Sequence, residues 1–286
     1  MLTRVQIDRV VSAALEEDAP WGDLTSEYLI PEDAVATADL VGREAGVFSG
    51  GEVFAAAFRL TDPRIRVDAL VDDGEAFPAG ATLARVTGPA RGVLTAERIG
   101  LNFAQRMSGI ATLTSLYVAE VAHTGARIAD TRKTTPGLRA LERHAVRSGG
   151  GHNHRHSLSD AVMAKDNHLA VLTARGASVT QALQAAIARL PHTTHVEVEV
   201  DRLDQIDAVL AAGVGTIMLD NFSLDDLRAG VALIGGRATV EASGGVSLAT
   251  VRDIAETGVD VISVGALTHS ARALDLGLDM RVDLPD

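Results

Sequence analysis

The 286-residue chain contains no cysteine, which excludes disulfide staples, thiolate metal sites and a thiol nucleophile, and fits a reducing compartment. Aromatic residues are 3 % of the total, too few to build stacking platforms for single-stranded nucleic acid. Positive charge is also in short supply. Lys and Arg number 26 against 38 Asp and Glu, a net charge of −12, which argues against binding to a duplex or an anionic bilayer. The first thirty residues carry no continuous apolar block with a small-residue cleavage site, so neither export nor a membrane span is expected. These absences leave a cytoplasmic protein that acts on a small molecule, without nucleic-acid or membrane partners.

Lysine is rarer still. Lys133 and Lys165 stand alone among 24 arginines. Both fall in residues 127–165, where Arg127, Arg132, Lys133, Arg139, Arg143, Arg147, Arg155 and Lys165 outnumber Asp130, Glu142 and Asp160. Where a plain surface cation suffices this chain uses arginine, so the two exceptions point to a place that wants a compact, rotatable ammonium.

The length predicts two domains. Residues 3–17 read as a helix, stopped by Pro20 and Gly22, with a turn at Asp23-Leu24-Thr25. Alternating stretches at 36–41, 65–70 and 82–86, interrupted by a helix over 51–60, predict an antiparallel sheet carrying a helix. A helical stretch over 92–123 is expected to break near Ser108-Gly109. That break sets the boundary between a first domain, 1–108, and a second, 109–269, with the tail 270–286 packing on the first. From residue 127 apolar runs at 127–130, 161–165, 195–200, 216–220, 239–242 and 261–264 alternate with helical stretches at 136–147, 179–190, 203–212, 223–234 and 248–257. Such alternation means parallel strands with crossover helices, as an α/β barrel of fewer than eight strands or an open α/β sheet.

Each apolar run carries or gives way to polar or small residues. Thr131, Arg132 and Lys133 succeed the first; Lys165 ends the second; Glu197 and Glu199 lie in the third; Asp220 ends the fourth; Ser243-Gly244-Gly245 and Gly265-Ala266 succeed the last two. The carboxyl ends of parallel barrel strands open onto one face, so these groups should converge there. The small-residue turns would expose backbone N–H groups and seat a phosphate, the first of them leading into a helix near Leu248. Strand alternation puts Glu197 and Glu199 on one face; either could be a buried partner for a cation, and with Asp220 they are suited to a hydrated Mg²⁺ beside a phosphorylated substrate. His152, His154 and His156 alternate, and one of them is expected to act as a neutral hydrogen-bond donor to an anion rather than as part of a metal cluster.

Asp130-Thr-Arg-Lys-Thr-Thr-Pro-Gly137, Gly149-Gly-Gly-His-Asn-His-Arg155, Lys165-Asp-Asn-His168, Glu197-Val-Glu-Val200, Leu219-Asp-Asn-Phe222, Glu241-Ala-Ser-Gly-Gly245 and Val264-Gly-Ala-Leu-Thr-His-Ser270 together resemble the quinolinate phosphoribosyltransferase family, as do Gly22-Asp-Leu-Thr25 and Leu94-Thr-Ala-Glu-Arg98. The resemblance runs over nearly the whole chain. It implies an α/β fold: an α+β sandwich domain followed by an incomplete, six- or seven-stranded α/β barrel. It also implies a homodimer, with Arg98 reaching the neighbouring active site. The implied reaction joins quinolinate to phosphoribosyl pyrophosphate, giving nicotinate mononucleotide, pyrophosphate and CO₂, with Mg²⁺ and no prosthetic group. Carried over, Arg98, Thr131, Arg132, Lys133, His154, Arg155 and Lys165 would bind quinolinate. Glu199, Asp220, Ser243, Gly244, Gly245, Val264, Gly265 and Ala266 would bind the co-substrate. Lys133, Glu199 and Asp220 would be catalytic, and Glu199 and Asp220 would hold Mg²⁺ through water. Two alternatives are a related phosphoribosyltransferase with another acceptor and a non-catalytic nucleotide sensor. Departures from the family pattern fall at Ser157 and Met163-Ala164.

Overall fold

In the computed structural model, which describes residues 2–174 and 176–283, the chain divides into two compact units. One holds the stretch up to Ser115, Thr134–Gly150 and the chain from Leu267; the other holds Leu116–Lys133 and Gly151–Ala266.

The first unit opens with α1 (Arg4–Asp18), whose start is fixed by a capping box: Gln6 N donates to Thr3 Oγ1 and Thr3 N donates to Gln6 Oε1. The expected turn at 23–25 is instead the start of α2 (Leu24–Leu29). Asp23 accepts from Ser26 N at 3.1 Å, the satisfaction of an orphan helix donor that makes Asp a good N-cap. Strands β1 (Val35–Gly42), β3 (Arg66–Ala69) and β5 (Thr82–Pro89) form an antiparallel sheet, and β2 (Gly46–Val47) pairs separately with β4 (Ala76–Phe77). Period-2 alternation buries Ala36, Ala38 and Leu40 of β1, while α3 (Gly51–Thr61) buries Val53, Phe54 and Phe58. The C-terminal strand β12 (Leu276–Asp283) adds to the free edge of β1, so the order is β12-β1-β5-β3.

The long helix α4 (Ala90–Val121) runs without the expected break. Ser108 and Gly109 serve contact rather than interruption. The Ser108 hydroxyl accepts from Ser49 N at 3.1 Å, and a Cβ on Gly109 would stand 1.9 Å from the Arg272 carbonyl oxygen. Glycine is there so that another backbone can come close. The two units divide within this helix, between Ser115 and Leu116. Helix α5 (Arg139–Ser148) also belongs to the first unit; its buried Glu142 accepts from Arg106 Nη2 at 2.8 Å and from Thr135 N at 3.0 Å.

The second unit is a parallel sheet of six strands: β6 (Arg127–Ala129), β7 (Val162–Ala164), β8 (Val196–Val200), β9 (Thr216–Asp220), β10 (Thr239–Ser243) and β11 (Val261–Ser263). Their order is β6-β11-β10-β9-β8-β7. That is a barrel taken in sequence, with β11 closing onto β6 and a seam left between β6 and β7. The segment at His152 lies along β6: His152 N donates to Ile128 O at 2.8 Å and Asp130 N to His152 O at 3.0 Å. Crossovers include α7 (Val179–Ile187), α8 (Ile206–Leu210), α9 (Leu224–Ile234) and α10 (Val251–Ala255). Two details differ from expectation. A helix, α6 (Asp166–Thr173), starts directly after Lys165, and α10 starts at Val251 because residues 248–250 form a turn. The last short helix is α11 (Ala266–His269). Among the described residues no helix is long and apolar enough to cross a membrane.

Replacing Gly109 with Ala tests the close approach. Alanine is favoured over glycine inside a helix by about 1 kcal/mol, yet overpacking against backbone should give a net loss of roughly 1–3 kcal/mol. Gly125, where an added Cβ meets nothing within 4 Å, is the control, and Gly125→Ala should leave the urea midpoint unchanged or slightly raised.

Candidate active site

The strand register assembles one cavity within the second unit. Ser243 lies opposite Asp220 and Glu241 opposite Met218, while Glu199 also faces Met218 from β8. Alternation therefore turns Glu197, Glu199, Met218, Asp220, Glu241 and Ser243 to the same side of the sheet. The cavity, of about 390 Å³, is lined by the cations Arg132, Lys133, Arg155 and Lys165 and the carboxylates Glu199 and Asp220. Thr131, Ser243, Ser263 and His154 add polar atoms, and Met163 and Met218 add apolar surface. Sequence reasoning named all of these as site residues except Ser263, Met218 and Met163, the last of which it noted only as a departure from the family pattern.

Each cation is held by local structure. Asp130, fully buried at the end of β6, accepts from His154 N at 2.8 Å and from Asn153 Nδ2 at 2.5 Å, which pins the segment carrying Arg155 beside the strand. Arg155 Nη1 donates to Ala161 O at 3.0 Å. Burial, and then the neighbouring charge of Arg132, lower the Arg155 pKa below its ordinary value. Two guanidiniums are thus kept within range of mutual repulsion. Lys133 N donates to Thr131 Oγ1 at 3.1 Å, shaping the turn after β6. The Lys165 ammonium forms an ion pair with Glu199 Oε2.

Of the three alternating histidines, His154 is the one that lines the cavity. Its Nε2 lies 3.1 Å from Glu197 Oε2 and 3.4 Å from Glu241 Oε1, and Arg155 N donates to its Nδ1 at 2.7 Å. Both ring nitrogens therefore face protein groups. Burial pulls the His154 pKa down, but the two carboxylates prevail and push it up to about 10. Burial also raises the Glu197 carboxyl above its usual range. Because Nδ1 accepts from the Arg155 amide, Nε2 is the ring nitrogen that faces the two carboxylates. Ser263 donates its hydroxyl to Glu241. Glu197 is thus the buried partner of a cationic group, one of its two anticipated roles. The role of Glu241 was not anticipated, although its motif was visible. His152 and His156 are exposed.

At the other strand ends, Gly244 and Gly245 have φ of 95° and 61°, a region costly for other residues. Val264 departs from expectation: its amide donates to Ala129 O at 2.9 Å, so it has no N–H to give a phosphate. Asp220 Oδ2 accepts from Asn221 Nδ2 at 2.7 Å. Arg98 is exposed on α4 in the first unit. Glu199 and Asp220, on adjacent strands and both at the cavity, supply the oxygen donors that Mg²⁺ takes when it keeps several waters and substrate phosphates.

Residues 23–108 match the family described as quinolinate phosphoribosyl transferase, N-terminal domain, and residues 110–279 match its C-terminal domain. A nicotinate-nucleotide pyrophosphorylase [carboxylating] of Mycobacterium leprae is 45 % identical over 279 residues, covering 94 % of this chain and 95 % of that protein. A Bacillus subtilis protein described as a probable enzyme of the same name is 38 % identical, with 98 % and 95 % covered. The crystal structure of NadC from Streptococcus pyogenes superposes with a TM-score of 0.94 at 40 % identity, covering 100 % of this chain and 99 % of that one.

The proton held by the His154 cluster ties stability to pH. The folded-state value of about 10 lies above the ordinary 6.5. The contribution is therefore complete below pH 6.5 and lost as pH rises through about 10. Urea midpoints should fall across that window, and the double variant Glu197→Gln/Glu241→Gln should lose this part of the slope.

Proposed function

The chain belongs to the quinolinate phosphoribosyltransferase family, and we propose that Arg132, Lys133, Arg155 and Lys165 gather the two anionic substrates of that reaction. The enzyme transfers a phosphoribosyl group from phosphoribosyl pyrophosphate to quinolinate in NAD biosynthesis, yielding nicotinate mononucleotide, pyrophosphate and CO₂. The observation that carries the residue roles is the grouping of four cations around one cavity of a chain whose net charge is −12.

Quinolinate is a dianion and its co-substrate is more negative still, so bringing them together away from water requires countercharge. Arg132 and Arg155 match a planar carboxylate with paired N–H donors. Lys165 serves the same ligand as a point charge, leaving Glu199 as quinolinate enters. Thr131 adds a hydroxyl. His154, with Glu197 and Glu241 against its Nε2, stands in the same wall and contacts quinolinate. Lys133 lies between the quinolinate and pyrophosphate regions. Glu199 and Asp220 face the ribose and the pyrophosphate, and Ser243, Gly244, Gly245, Gly265 and Ala266 receive the 5′-phosphate.

The pyridine nitrogen attacks ribose C1 as the C1–O bond to pyrophosphate breaks, with positive charge developing on the sugar. Positioning and electrostatics suffice for this step, and no covalent nucleophile is needed. Glu199, released from Lys165, stabilises the developing charge. The C–C bond to the 2-carboxylate then breaks, CO₂ leaves, and the electron pair left on ring C2, stabilised by the adjacent positive nitrogen, takes a proton from water to give the product C–H. Glu199 and Asp220 would hold Mg²⁺ through water; when bound, the ion neutralises departing pyrophosphate.

The working form in this reading is a homodimer, with Arg98 of each chain entering the partner's cavity. Arg98 is exposed, as are Trp21, Leu24, Tyr28 and Leu29 around α2. Apolar exposure of that kind favours a covering protein surface.

Purified enzyme with quinolinate, phosphoribosyl pyrophosphate and Mg²⁺ should release CO₂, and nicotinate should not substitute for quinolinate. Lys165→Ala should raise KM for quinolinate about 10- to 100-fold, the loss expected for a charge-assisted contact, with an unchanged circular dichroism spectrum. An unaltered kcat/KM removes Lys165 from the site. The shared site has its own test. Arg98→Ala and Lys165→Ala chains, each assayed at quinolinate well below the parent KM where their rates are low, should recover activity when mixed, because a hybrid dimer contains one site free of both changes. No recovery after subunit exchange counts against Arg98 acting across the interface.

A further inference from the structure

Asn221 is the one non-glycine residue with positive φ among the described residues, at 59°. Such a backbone costs about 1 kcal/mol or more and persists where surrounding structure demands it. Three contacts make that demand. Asn221 N donates to Ser243 O at 2.9 Å, joining the ends of β9 and β10. Its side-chain Nδ2 donates to Asp220 Oδ2 at 2.7 Å. Its Oδ1 lies over Gly244, where an added Cβ would stand 2.2 Å from that oxygen. The left-handed turn thus lets a single side chain reach back to the carboxylate and press on the glycine turn of the next strand.

We infer that Asn221 is a positioning residue for the phosphoribosyl pyrophosphate half of the site, holding the Asp220 carboxylate and the Gly244 turn in fixed relation. The inference rests on the proposed assignment of Asp220 to Mg²⁺–pyrophosphate and of Gly244 to the phosphate. A carboxylate has about four lone-pair sites, and the Asn221 amide takes one on Oδ2. With this donor in place the carboxylate cannot rotate freely, and its remaining sites keep one orientation toward the ligand. Aspartate at 221 would tolerate the same backbone but set a second negative charge against Asp220. Glycine would relax the backbone and remove the donor.

The distinguishing measurement is a split between the two substrates. Asn221→Gly should raise KM for phosphoribosyl pyrophosphate and the Mg²⁺ concentration needed for half-maximal rate by about 10- to 100-fold, the range for losing a hydrogen bond to a charged group. KM for quinolinate and the melting temperature should hold. Calorimetric titration with magnesium pyrophosphate, which needs no turnover, should show a parallel loss of affinity. Asn221→Asp should weaken that binding at least as much while keeping the fold. Parent-like binding in either variant overturns the inference, as does an equal rise in both KM values, the mark of general loosening. If the parent chain binds magnesium pyrophosphate but does not turn over quinolinate, the assigned reaction fails while the role of Asn221 is still read from the titration.

Discussion

Partial burial makes the Arg155 guanidinium harder to charge, and the neighbouring charge of Arg132 adds to that cost. An arrangement of this kind relaxes unless rigid structure opposes it. In the second unit the opposition comes from carboxylates placed behind the cations. Asp130 fixes the segment that carries Arg155, Glu197 and Glu241 enclose His154, and Glu199 engages Lys165. The chain is acidic overall, yet much of the acid near the cavity works to hold positive charge in place. The site is in effect a set of cations under tension, and an anionic ligand with several carboxylate or phosphate oxygens relieves it.

The seam in the barrel serves the same end. A closed barrel would have a further strand between β6 and β7, with its hydrogen bonds committed on both edges. Here the stretch at His152 is tied to β6 alone by two backbone bonds, and it continues as a loop over His154 and Arg155. Two cationic side chains therefore enter the cavity from the wall itself rather than from a strand tip. Of the basic segment, Arg132, Lys133, Arg155 and Lys165 line the cavity, whereas Arg139, Arg143 and Arg147 lie on α5 in the first unit.

How far the sequence foretold this differs from residue to residue. The six parallel strands were legible because each is an apolar run bounded by polar strand ends, and the placement of Arg132, Lys165, Glu199 and Asp220 followed from that rule. The break predicted at Ser108-Gly109 was not found, because a glycine that makes room for a distant backbone looks the same in sequence as one that ends a helix. The partner of Gly109 is Arg272, far along the chain. The surroundings of His154 were hidden for a related reason. Its spacing in H-x-H-x-H says which residues share a face, but the carboxylates that govern its charge come from β8 and β10. Helix α6 was hidden because it opens on Asp166, Asn167 and His168, which read equally well as loop. Local pattern carries element type and face; it does not carry contacts between distant segments.

Strand β12 lies against β1, its partner from far earlier in the chain. During synthesis from the N-terminus, β1 and β5 can pair early, but one edge of β1 stays bare until Leu276–Asp283 has left the ribosome. An unpaired strand edge is a template for wrong partners. The growing chain thus carries an open sheet edge while the whole parallel barrel is being made, and that edge is closed only by the last strand.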